Sequence, residues 1–146
     1  MEKRINIMET QAQAAKAMYG LEGYLASTQL PKAHKELIKI RASQINGCAF
    51  CLDMHTKDAL RNGESSQRIF LLNAWRETNL FSPEEKVLLA ITEEVTLIHQ
   101  HGLSEETYSR ARAIFDEGYI AQVIMAVVII NAWNRIAVST RLEIPQ

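Results

Sequence analysis

Apolar residues recur at helical spacing along most of the chain, and no alternating strand-like run with a hairpin turn interrupts them. Glycine and proline, which most often break regular structure, occur only 6 and 3 times in 146 residues. The pattern therefore predicts an all-α fold, a bundle of six to seven helices.

Capping and stop signals divide the chain into seven predicted helices. Pro31 favours a first turn, Asn46-Gly47 ends a helix, and Ser82-Pro83 is typical of a helix start. Gly118 separates the sixth predicted helix from the last one. The predicted spans are about 7–26, 31–46, 48–61, 66–77, 83–99, 105–117 and 119–139.

The most apolar stretch, 119–133, is about 15 residues long, short of the roughly 20 that span a bilayer. Its apolar residues surround the helix almost completely, which predicts a buried core or interface helix and no membrane partner. The first ten residues mix charges with isolated apolar positions and lack the apolar core of a signal peptide. We therefore expect a cytoplasmic protein.

Charge and length bear on the binding partners and on the number of domains. Sixteen Lys and Arg against 17 Asp and Glu give a net charge of -1, which provides no general attraction to nucleic acid. No linker or low-complexity segment divides the sequence, and its length suits one core. We predict a single domain over residues 1–146.

Cys48 and Cys51 are the only cysteines, and they follow the predicted stop at Asn46-Gly47. On a helix they and His55 fall within an arc of about 60° on one face. Cys51 and His55 are i, i+4 neighbours, so the imidazole can take the thiol proton directly or through one water. Because a helix start also favours an anion, we expect an acidified, redox-active dithiol.

Glu36 is the candidate partner that would set the tautomer and basicity of His55 from the preceding helix. Its neighbours Lys35 and Lys39 leave a solvated helix residue as the alternative.

Zinc is the main alternative for the cysteines, but a structural zinc takes four ligands and Cys48, Cys51 and His55 supply three. No second CxxC completes the set, and the other histidines, His34, His99 and His101, lie outside the CxxC helix. Two structural thiols are a further alternative. We favour the redox pair and expect no metal or other cofactor.

The order Glu36, then Cys48-Ala49-Phe50-Cys51, then His55 resembles the AhpD-like alkylhydroperoxidases of the carboxymuconolactone decarboxylase superfamily. The segment 40–55 follows their signature nearly residue for residue, and an all-helical domain suits the family. The best-studied peroxidases of the family have a second His where this chain has Phe50. The decarboxylase branch uses no CxxC, so lactone decarboxylation is not expected.

The resemblance implies that Cys51 attacks an organic hydroperoxide or hydrogen peroxide, that Cys48 resolves the product to a disulfide, and that His55 and Glu36 relay the proton. It implies an external dithiol or thiol protein as reductant. Together with the apolar last helix, it also predicts a homo-oligomer, a trimer or a hexamer. The reverse assignment of the two thiols stays open, and so does a disulfide carrier or redox sensor without peroxidase turnover.

Overall fold

The structure, a computed structural model, describes residue 2 and residues 4–146. All regular structure in that part of the chain is helical, which confirms the predicted all-α class. The predicted domain, 1–146, includes residues 1 and 3, which lie outside the described residues. The helices are α1 Ile7–Thr10, α2 Ala12–Ser27, α3 Lys32–Asn46, α4 Ala49–Arg61, α5 Ser66–Phe70, a 3₁₀ helix Leu72–Glu77, α6 Pro83–Thr96, α7 Glu105–Ile114 and α8 Glu117–Thr140.

Two of the seven predicted helices are each divided, which gives nine helices among the described residues. The first is interrupted at Gln11, whose φ of -129° and ψ of 71° are not helical. The fourth starts at the Ser65 cap as predicted, but its α-helical part ends at Phe70 and a 3₁₀ helix continues through a distorted Ala74. None of these three positions is a glycine or proline, so the sequence carried no strong breaker there.

The helix ends follow the capping signals with one exception. Ser82 and Glu85 form a reciprocal capping box at the start of α6. Gly47 ends α3 with a left-handed φ of 63°, a conformation that glycine adopts without strain. The prediction that Gly118 precedes the last helix was wrong: the Asp116 side chain accepts the Tyr119 N–H and caps α8, so Gly118 lies in its first turn.

The last helix, α8, is the central packing element, and it contacts α2, α3, α4, α6 and α7. With 24 residues it is long and apolar enough to cross a membrane by length and composition alone, so the argument from a short apolar stretch does not hold. Of its most apolar window, 44% is buried inside the fold. Packing within the fold therefore accounts for much of its apolar character.

Helices α3, α6 and α8 form the inner core, with fully buried Leu37, Leu88 and Ile129 among their contacts. Each such side chain contributes roughly 1.5 to 3 kcal/mol when removed from water. The tight connection through Gly47 folds α4 back against α3. One face of α4 is thereby held against a rigid support.

Candidate active site

The two cysteines stand at the junction between α3 and α4. Cys48 is the N-cap of α4, and its Sγ accepts the backbone N–H of Cys51 at 3.4 Å. A side-chain acceptor at this position satisfies one of the free N–H groups of the helix start. The prediction that the pair lies at a helix N-terminus is therefore confirmed.

Both thiols are free and almost fully enclosed, with 1% of Cys48 and 2% of Cys51 exposed. Only Cys51 borders the large cavity described below. Cys48 is thus not the more exposed sulfur, and greater exposure of Cys48 would have favoured the reverse assignment of the two thiols. A small molecule in the cavity meets Cys51.

Burial and, after it, the adjacent Cys48 sulfur together raise the pKa of the Cys51 thiol to about 12, while a hydrogen bond with Asn134 acts in the opposite direction. The expected acidification of this thiol is therefore wrong for the reduced structure. The physical reason is that desolvation disfavours a thiolate more than the surrounding dipoles favour it. Cys51 is therefore a protonated thiol at neutral pH.

His55 and Glu36 come together as predicted, the imidazole from α4 and the carboxylate from α3. His55 Nδ1 lies 3.3 Å from Glu36 Oε2, and both side chains are about nine-tenths buried. Within residue 2 and residues 4–146, neither atom has an aligned hydrogen-bond partner. The solvated alternative for Glu36 is excluded, and the two groups need only a small rotation to share a proton.

Asp58 is the residue that the sequence analysis missed. It lies three residues after His55 on α4, and it borders the same cavity. Its carboxylate comes within 4.8 Å of ligand atoms of both Glu36 and His55, and its Oδ1 accepts a hydrogen bond from Arg61 at 2.9 Å. The i, i+3 spacing from His55 was the sequence signal that could have found it.

A buried amide network lies behind the cysteines. Asn134 donates to Ser43 Oγ at 3.0 Å, and Asn46 donates to both Asn131 and Asn134 at 2.9 Å. These bonds join the end of α3 to the middle of α8. The network holds the end of α3, just before Cys48, against α8.

A cavity of about 710 Å³ opens beside Cys51 and His55. Its lining includes the apolar side chains of Phe50, Met54 and Trp133. The segments 4–8 and 140–143 line it as well, and Arg4 donates to the Ser139 carbonyl at 2.8 Å, which ties the two together. The site is therefore an apolar recess with charged groups at its outer edge.

Comparison with known proteins finds a family match over the region of the chain that contains the site. Residues 12–94 match the model of the carboxymuconolactone decarboxylase family, a span that includes Glu36, both cysteines and His55. The uncharacterized protein YdfG of Bacillus subtilis strain 168 is 42% identical over 139 residues, which is 95% of each chain.

Solved structures show the same fold. A crystal structure of an Agrobacterium tumefaciens protein of unknown function, named as a candidate antioxidant defence protein AhpD, matches with a TM-score of 0.95 and 40% identity over 99% of both chains. The debrominase Bmp8 matches with a TM-score of 0.84 and 19% identity over 94% of this chain and 74% of its own. At that identity the likeness to Bmp8 is one of fold alone.

Proposed function

Because this chain belongs to the carboxymuconolactone decarboxylase family, we propose that it is a thiol peroxidase of the AhpD type that reduces organic hydroperoxides. One arrangement carries the proposal: the Cys51 thiol and the His55 imidazole border the same apolar cavity, and Glu36 lies against that imidazole. A nucleophile, a base and a group that orients the base are the parts that nucleophilic catalysis requires.

The first step oxidises Cys51. His55 takes the thiol proton, Glu36 stabilises the imidazolium, and the sulfur attacks the terminal oxygen of the hydroperoxide. The O–O bond breaks, the alkoxide takes the proton from His55 and leaves as an alcohol, and Cys51 becomes a sulfenic acid. Since burial raises the pKa of Cys51, the histidine acts as a general base during the attack, not beforehand.

The second step closes the disulfide. The Cys48 thiol attacks the sulfenic sulfur of Cys51, the S–O bond breaks, and the proton of Cys48 leaves with the hydroxyl as water. The closeness of the two residues supports this step, since the Cys48 Sγ lies 3.4 Å from the Cys51 backbone nitrogen. An external dithiol then reduces the disulfide by exchange and becomes a disulfide itself. Cys51, the sulfur beside the cavity, is where that dithiol would attack.

The cavity favours an organic hydroperoxide over hydrogen peroxide. A volume of about 710 Å³ exceeds what hydrogen peroxide needs, and Phe50, Met54 and Trp133 offer apolar contacts. Each square ångström of apolar surface removed from water contributes about 25 cal/mol to binding. We expect this term to lower the KM for cumene hydroperoxide relative to hydrogen peroxide.

Stopped-flow oxidation of the reduced, metal-free protein by both peroxides tests the proposal, with mass spectrometry of the products. We expect rapid formation of the Cys48–Cys51 disulfide in the wild type. Cys51→Ser should abolish the reaction, and Cys48→Ser should stop it at a sulfenic acid on Cys51. His99→Ala serves as the control, because His99 lies outside the cavity lining.

Oxidation no faster than that of a free thiol would contradict the peroxidase and leave the second candidate, a disulfide carrier or redox sensor. Two observations favour that candidate: the raised pKa of Cys51, and Phe50 in the position where family peroxidases carry a histidine. Rapid exchange with a small dithiol, combined with slow peroxide oxidation, would identify it.

We also propose a cytoplasmic homo-oligomer, a trimer or a hexamer. Reduction of the disulfide in each cycle suits a reducing compartment. Val128 and Val138 on α8 are each nearly half exposed, which leaves apolar surface for a second copy. Light scattering after size exclusion tests this, and a monomer at micromolar concentration would overturn the oligomer.

A further inference from the structure

The group formed by Glu36, His55 and Asp58 has one more carboxylate than a proton relay needs. Each residue offers a ligand atom, and these atoms all lie within 4.8 Å of one another. Glu36 comes from α3, while the other two come from adjacent turns of α4. Oxygen and imidazole ligands in this combination suit a divalent transition metal such as Zn²⁺.

Two atoms of this group have no hydrogen-bond partner among the described residues. Glu36 Oε2 and His55 Nδ1 are both buried, and only 8% of His55 is exposed. An unsatisfied buried polar atom is costly, and a carboxylate oxygen more so than a neutral group. The two atoms lie 3.3 Å apart without forming a hydrogen bond, so a single ion bound by both would satisfy them together.

We propose that Glu36, His55 and Asp58 bind Zn²⁺ and that the bound ion inhibits the redox cycle. The inhibitory part rests on the proposed function, because it needs His55 as the base. The expected chemistry uses no metal, and in this proposal the ion occupies the relay without taking part in the reaction.

The geometry is close to what zinc requires. Bonds of about 2.1 Å place tetrahedral ligand atoms about 3.4 Å apart, and the Glu36–His55 separation is already 3.3 Å. Asp58 must move inward by roughly an ångström. It can do so because its side chain is 38% exposed and, in the part of the chain that the structure describes, its polar contact is with the exposed Arg61. His55 and Asp58 both border the cavity, so the ion has an entry path and water can complete the coordination.

Inhibition follows from the ligands used. Neutral imidazole has one N–H and one lone pair, so when Nδ1 of His55 donates its lone pair to Zn²⁺ the other ring nitrogen carries the hydrogen and cannot take the Cys51 proton. A Glu36 carboxylate bound to the ion also cannot stabilise an imidazolium. Removal of the ion by a chelator should restore the relay.

Binding is measured in the Cys48→Ser/Cys51→Ser double variant, because free thiols also bind zinc. Calorimetric titration with Zn²⁺ should give one site per chain. Adding Asp58→Asn or Glu36→Gln to this background should weaken binding at least about tenfold. Asp53→Asn is the matched control, since it removes the same charge from the same helix, where Asp53 pairs with Lys57.

Failure of the thiol-free variant to bind zinc overturns the site. So does a zinc affinity that neither Asp58→Asn nor Glu36→Gln lowers relative to the thiol-free variant. Circular dichroism checks that each variant is folded, and the two substitutions act independently, so one misfolded variant does not decide the result. Co²⁺ gives a second readout: visible ligand-field bands without thiolate charge transfer are expected in the wild type, whereas strong charge transfer would place the metal on the cysteines.

A separate arm tests the inhibition. The ratio of peroxide oxidation rates with and without Zn²⁺ is compared between the wild type and Asp58→Asn. Inhibition that persists unchanged in Asp58→Asn would place the inhibitory ion on the thiols and overturn the proposed inhibition through Glu36, His55 and Asp58. A protein that binds Zn²⁺ through Asp58 but does not reduce peroxides would retain the metal site and lose only the proposed function.

Discussion

Two glutamates, Glu36 and Glu93, have the same exposed fraction, 12% of the side chain, and opposite surroundings. Glu93 on α6 accepts hydrogen bonds from Arg41 and Trp75, both at 2.8 Å, and forms an ion pair with Arg76. Among the described residues, Glu36 Oε2 on α3 receives no hydrogen bond, although it lies 3.3 Å from His55 Nδ1. The same fold thus saturates one buried carboxylate and leaves the other available.

The difference separates stabilisation from chemistry. A carboxylate held by two guanidinium groups and an indole gains stability from fixed partners and has no reason to exchange a proton. A carboxylate left beside an imidazole costs stability, and such unsatisfied buried groups are commonly found at functional sites. Substitutions at the two positions should therefore affect different measurements.

Loss of Glu93 is the largest expected effect on folding. Glu93→Ala leaves Arg41 and the Trp75 indole without their acceptor, and removing one partner of a buried ion pair costs about 3 to 5 kcal/mol. Urea unfolding followed by circular dichroism measures this loss. The control is Lys57→Ala, which breaks an exposed ion pair with Asp53 and should cost less than about 1 kcal/mol. Equal losses in the two variants would contradict the structural role of Glu93.

Loss of Glu36 should act on rate. Glu36→Gln keeps the shape of the side chain but removes the charge that stabilises the His55 imidazolium, and general acid–base catalysis contributes about 100-fold or more. A 100-fold loss corresponds to about 2.7 kcal/mol in the activation free energy. Stopped-flow oxidation by cumene hydroperoxide gives the rate, and urea unfolding should show little change. A Glu36→Gln variant that is destabilised but oxidised at an unchanged rate would mean that Glu36 stabilises the fold and does not act in the reaction.

Acidic pH should reduce the contribution of Glu93 to folding stability, an effect smaller than that of either substitution above. Burial by itself would raise the pKa of Glu93, but hydrogen bonds from Trp75, Arg76 and Arg41 outweigh it and lower the pKa below 4.5. A lowered pKa means that this stabilisation is present above pH 4.5 and is lost as the pH falls below it. The wild type should therefore lose more stability between pH 6 and pH 4 than Glu93→Gln does. Parallel losses would show that Glu93 does not titrate as described.

The sequence predicted those parts of the site that depend on local spacing. Cys48, Cys51 and His55 share a helix whose start was marked by Asn46-Gly47, so their common face followed from helix geometry. Glu36 was a candidate with a solvated helix residue as its alternative, and the family resemblance, now confirmed, favoured it. Its contact with His55 depends on how α3 and α4 pack.

Other features had no local signal. The pKa of Cys51 depends on burial by the whole fold, and helix position alone predicted the opposite direction. The two divided helices lack a glycine or proline at the break, so periodicity could not locate the breaks at Gln11 and Leu71. Asp58 is a partial exception: its i, i+3 spacing from His55 was a local signal, but its approach to Glu36 depends on the packing of α3 against α4.

The smallest expected effect concerns the pKa of Cys51, and it tests whether burial or the Cys48 sulfur contributes more to raising that pKa. Burial is the largest cause of the raised pKa of Cys51, and the neighbouring Cys48 sulfur adds to it. Cys48→Ala should therefore lower the pKa of Cys51 only in part, and the thiol should still titrate above its ordinary value of 9.0. Alkylation by iodoacetamide as a function of pH measures the midpoint, which should shift downward but stay alkaline.

A midpoint near neutral pH in Cys48→Ala would mean that the partner sulfur, not desolvation, keeps Cys51 protonated. His55 would then act on a thiolate that forms as soon as Cys48 is removed, and its role as a base during the attack would lose its reason. An alkaline midpoint leaves a thiol that reacts only when the unpartnered Glu36–His55 pair accepts its proton. In that case the incomplete satisfaction of this pair is the feature on which the reactivity of Cys51 depends.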